Sequence, residues 1–144
     1  MLEPKKNEEL IKDLLKRTEG QDFDFKLHVN DPQKLAKTLT AFANTNGGTL
    51  VIGVSDNKRL IGVDVEEEKY MVEKSINEFC IPPVDVEYQN FETESVKDSE
   101  AKKELNILIV RVKKSDKIHF QKNNKGVLTL YKRVFDRTLP VKSN

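Results

Sequence analysis

One cysteine, Cys80, stands in this 144-residue chain, so no intramolecular disulfide can staple it. Only two histidines occur, His28 and His119, and they offer no zinc-ligand spacing. No apolar run approaches the ~18 residues that would span a bilayer, and the opening MLEPKKNEEL contains no apolar leader core. These absences predict a soluble, cytoplasmic protein held by packing alone, and the length suits one domain over 1–144 with a real core. Cys80 closes an apolar helical pattern and reads as a core residue, and both histidines read as structural.

What is present is charge, unevenly spread. The net charge is only +1. Residues 64–104 nevertheless hold 13 Asp/Glu against 5 Lys/Arg, whereas 111–144 hold 10 Lys/Arg against 2 acids. That balance excludes a protein that coats nucleic acid indiscriminately, and it allows a basic face built from the C-terminal third. The acidic middle leaves open a protein-interaction module as another class of function.

Along the chain, Asn7 as cap and the stripe Leu10, Ile11, Leu14, Leu15 predict a helix over 7–19, with Gly20 as its stop. DFDFKLHV (22–29) alternates like a half-buried strand, with Phe23 and Phe25 inward and Asp22, Asp24 and Lys26 in solvent. Asp31-Pro32 starts a second helix that runs to Asn44. TLVIGV (49–54) reads as a central strand, SDNK as a turn and RLIGV (59–63) as the second arm of a hairpin. A third helix covers 66–79 and is stopped by Pro82-Pro83. VDVEYQNF (84–91), LNILIVRV (105–112), IHFQK (118–122) and VLTLYKRV (127–134) read as strands, and the polar stretch 92–104 as a long loop. The order α-β-α-β-β-α-β-β-β-β predicts an α+β domain with a mixed β-sheet.

The glycines of AFANTNGGTLVIGVSDNKRLIGVD (41–64) raise the question of phosphate binding. A phosphate cradle needs amides at a helix N-terminus, but Gly47-Gly48 follow a helix, at its negative dipole end. Gly47, Gly48, Gly53 and Gly62 therefore read as structural. Glu19, Asp24 and Asp56 would suit a divalent ion if their strands lie side by side; the alternative is three solvated acids. Around the C-terminal hairpin, Lys122, Lys125, Lys132, Arg133 and Arg137 interleave with Phe120, Tyr131 and Phe135, a pattern suited to phosphate neutralisation and base stacking. Neighbours on a strand face opposite ways, so Lys132 and Arg133 cannot serve one ligand surface.

Three pieces, EGQDFDFK (19–26), the run 41–64 and LTLYKRVFDRT (128–138), together resemble the Schlafen-type AlbA-like domain, also catalogued as a divergent AAA domain. The resemblance covers about 10–140. It implies an α+β sandwich that binds DNA or RNA, as a homodimer or as a module of a transcriptional regulator. Lys26, Lys58 and Arg59 near the glycine loop would join the C-terminal cations as contacts. In animal Schlafen proteins the domain is an endoribonuclease, which would place a Mg²⁺ or Mn²⁺ site on Glu19, Asp24 and Asp56 here; binding alone requires no cofactor. Two positions depart from the family pattern: Asp24 replaces its Glu, and Phe135 replaces its glycine.

Overall fold

The structure is a computed structural model that describes the backbone of residues 4–6, 8–97 and 101–142, and the side chains of 9–93 and 104–142. The expected cap Asn7 lies outside the described residues.

Strands β1 (Pro4–Lys6), β2 (Phe23–Lys26), β3 (Gly48–Ile52), β5 (Val86–Lys97) and β6 (Ala101–Val112) form one sheet in the order β1-β5-β6-β3-β2. The pairs β1–β5 and β2–β3 are parallel, and β5–β6 and β6–β3 antiparallel. Both faces are covered. On one side α1 (Glu8–Lys16) brings Ile11 and Leu14 against Phe23, Phe25, Val51, Ile107 and Ile109. On the other, α2 (Pro32–Asn44) and α3 (Val65–Phe79) pack Leu39, Phe42, Val72 and Ile76 onto Leu50, Ile52, Leu108 and Val110. A strand buried on both faces has no polar side, so TLVI and ILIV read as continuous apolar runs.

A second sheet, β4 (Cys80–Ile81), β7 (Phe120–Lys122), β8 (Leu128–Val134) and β9 (Arg137–Pro140), lies across α2 from the first, in the order β4-β7-β8-β9. The α+β expectation with mixed pairing holds, and α2 is the centrepiece. Asp31 caps it by accepting the Lys34 amide at 3.0 Å, Pro32 occupies its first turn, and seven of its residues from Leu35 to Ala43 besides Thr38 are buried. Asp64 caps α3 in the same way through the Glu67 amide, and Glu66, Glu67 and Glu68 favour its positive end.

Four expectations are corrected. RLIGV does not form a hairpin arm: after a single Val54–Leu60 bridge, the Ile61 and Gly62 amides both donate to the Gly53 carbonyl and close a loop. The stretch 92–104 is not a loop, because backbone pairing carries β5 to Lys97 and resumes β6 at Ala101. The first helix ends at Lys16 rather than Glu19, and Gly20, the expected stop, instead bridges to Phe23. The strand at 23–26 is buried on both sides, since α2 and the second sheet cover the side that carries Asp24.

Candidate nucleic-acid interface

The AFANTNGG stretch turns out to be a junction. Asn44 Nδ2 donates to the carbonyls of His119 and Tyr131 at 2.8 and 3.0 Å, and its Oδ1 accepts the His119 amide at 2.9 Å. Thr45 Oγ1 donates to Ala41 O at 2.7 Å and accepts the Arg133 amide at 3.0 Å. The end of α2 is thus stitched to the second sheet. Gly47 takes a positive φ of 74°, and its neighbour Gly48 lies so close to Phe42 that a Cβ would stand 2.5 Å from the ring. His119, 4 % exposed, is held by Nδ1 against Pro82 O at 2.6 Å, which bears out its structural reading.

The three acids are not brought together. Asp24 sits level with Leu50 in the middle of the β2–β3 ladder, 4 % exposed. Glu19 is exposed before Gly20, at the entry to β2. Asp56 is exposed in the turn beyond the far end of β3. The strand levels of Phe23 and Lys26 alone are separated by about 10 Å, at ~3.3 Å per residue. Among the described residues no group of three or more His, Cys, Asp or Glu is placed to hold a metal ion. The Asp24 carboxylate is occupied otherwise: its Oδ2 lies 3.4 Å from Arg133 Nη1 and 4.0 Å from Lys26 Nζ, while buried Oδ1 has no hydrogen-bond partner. Burial pushes this carboxyl above its ordinary range, and Lys26 and Arg133 pull it part of the way back. One such acid, held by an arginine, does not fit the donor set of a Mg²⁺ or Mn²⁺ site.

Arg133 is likewise withdrawn from any ligand. It is 4 % exposed, with Nε donating to Gly20 O at 3.0 Å, Nη1 to Thr138 Oγ1 at 3.0 Å, and the guanidinium 5.1 Å from the Phe42 ring. It joins β2, α2, β8 and β9 from the inside, which corrects its assignment as a nucleic-acid contact.

Strand register sorts the remaining side chains. Gln121 points inward, donating to Gln33 O at 2.9 Å, and pairs with Cys80 and Thr129; Arg133 pairs with Thr138. The alternate residues then share the outer face: Ile81, Phe120 and Lys122, then Leu128, Leu130, Lys132 and Val134, then Arg137 and Leu139. Lys122, Lys132 and Arg137 are exposed there, beside Leu128 (49 %) and Val134 (46 %), and no carboxylate stands among those strand positions. Lys125 is exposed in the turn between β7 and β8. Lys26, Lys58 and Arg59 belong elsewhere, at the far end of β2 and β3; Lys26 lines a cleft of about 120 Å³ with His28, Lys34 and Thr38. The period-two pattern of LTLYKRV already separates Lys132 from Arg133. The outward role of Leu139 and the partnership of Thr138 were missed, because β9 carries no readable alternation.

Two sheets flank a central helix, and the outer face of the second is cationic and apolar, the architecture of an α+β domain. The chain belongs to the Schlafen AlbA_2 family, whose model matches residues 19–142. No curated protein matches the sequence. The crystal structure of the DIP2311 protein from Corynebacterium diphtheriae resembles it with a TM-score of 0.54 and 19 % identity, over 91 % of this chain and 25 % of that one. The likeness is one of fold, and the chain spans about a quarter of that protein's length. Among the described residues no helix is long and apolar enough to cross a membrane.

Proposed function

We propose that this chain binds nucleic acid, DNA or RNA, through the outer face of the second sheet. The observation that carries the reading is the sorting of charge by register: Lys122, Lys132 and Arg137 share one face with apolar side chains, while Arg133 is turned inward. Cations spaced on a sheet neutralise a phosphate chain, and apolar neighbours contact sugars and bases. Family membership supports nucleic acid as the partner class. Binding without cleavage suits a module of a regulator, alone or as a homodimer.

The test is the affinity for labelled DNA and RNA across a salt series. Each neutralised phosphate releases counterions, so three contacts give a slope of about −2 to −3 in log K against log salt. Replacing Lys122, Lys132 and Arg137 by alanine flattens that slope. Binding that is absent, or indifferent to both salt and the triple substitution, would sink the proposal.

A further inference from the structure

Phe135 and Asp136 form the two-residue link between β8 and β9, whose last pair is Val134 with Arg137. Phe135 has a φ of +54°. In a short strand-joining turn a positive φ at the first residue ordinarily calls for glycine, because a Cβ is crowded there. The ring is also 80 % exposed, the most of any large hydrophobic side chain among the described residues. A bulky apolar group is therefore held where backbone and solvent both disfavour it, and at 80 % exposure the fold gains little packing in return. Such an outlier points toward function.

Its surroundings indicate which function. Arg137 stands across from Val134, and Lys132 is two residues before Val134 on the same face, so the turn that carries Phe135 closes a row of cations. Asp136 beside it disfavours phosphate at the tip itself, which leaves the ring for the uncharged part of a nucleotide. A flat apolar ring beside spaced cations suits an unpaired base flanked by phosphates. Bases inside a duplex are already stacked on one another and offer no free face.

Resting on the nucleic-acid reading above, we propose that Phe135 is a base-stacking platform and that the preferred ligand is single-stranded nucleic acid. The experiment compares a labelled 12-nucleotide single strand with a duplex of the same sequence, against wild type, Phe135→Gly, Phe135→Trp and Lys132→Ala. Phe135→Gly is expected to weaken single-strand binding about tenfold, given the usual contribution of one stacked base, and to leave duplex binding unchanged. Its melting temperature should equal or exceed that of wild type, because glycine accepts the positive φ. Phe135→Trp should retain single-strand binding, and Lys132→Ala should weaken both ligands. If Phe135→Gly leaves single-strand affinity intact while Lys132→Ala lowers it, the platform is wrong and the nucleic-acid reading stands. Equal losses on both ligands, or a change of Phe135→Gly from dimer to monomer in sedimentation, would also overturn it. If wild type binds neither ligand, both proposals fall.

Discussion

Arg133 carries a permanent charge at 4 % exposure, and a charge in that position is tolerable only while every donor is engaged. Its partners are Gly20, Thr138 and the carboxylate of Asp24, so the acid that resembles a metal ligand in sequence acts as a strut between the two sheets. Replacing Arg133 by Met keeps much of the stem and removes the charge. We expect a loss of about 3–5 kcal/mol at neutral pH, as for other broken buried pairs, while Lys132→Met stays within about 0.5 kcal/mol. The sign of the pH dependence follows from Asp24. Its carboxyl is already raised above 3.8 by burial, so the folded state favours the proton, and that stabilisation fades as pH rises through the raised value. Without Arg133 the value rises further, so the deficit of the variant is smallest in acid and grows toward neutral pH. Urea unfolding at pH 4 and pH 7 reads this directly, and a deficit that did not change with pH would contradict the pairing.

At the scale of elements, the join between α2 and β3 depends on the absence of a side chain at Gly48. A Cβ there would stand 2.5 Å from Phe42, whose ring is 0 % exposed and has no room to withdraw. Gly48→Ala should therefore cost about 1–3 kcal/mol through overpacking, seen as a melting temperature several degrees lower. Gly20→Ala, whose Cβ would meet nothing nearer than 4.0 Å, is the control and should melt with wild type. The elements legible in the sequence are those with strong local signals. Asp31-Pro32 and a periodic stripe announce α2, a helical pattern stopped by Pro82-Pro83 announces α3, and β-branched runs announce β3 and β6. Where pairing rests on backbone groups alone, composition is silent, which is why the extension of β5 to Lys97 resembled a loop. The short strands β1 and β9, three and four residues long, give too few positions for any period to show. RLIGV misled in the other direction: its apolar residues suit a strand, but the paired amides on Gly53 O end the ladder after one bridge.

At the scale of the molecule, α2 separates a sheet covered on both faces from a sheet with one face in solvent, and the basic C-terminal segment supplies that solvent face. The sequence made the cations of this segment visible but not their direction, since direction depends on register with β7 and β9. It also made the AFANTNGG stretch conspicuous without revealing its work, because Asn44 acquires its partners from residues 75 and 87 positions away. On the proposed reading, ligand meets the outer face of β7, β8 and β9 and not the acids near β2 and β3. Amide chemical-shift mapping during titration with a single-stranded oligonucleotide tests it most directly. Perturbations should concentrate in Phe120–Lys122, Leu128–Val134 and Arg137–Pro140. Perturbations centred on 19–24 and 55–59, with those three strands unmoved, would contradict it.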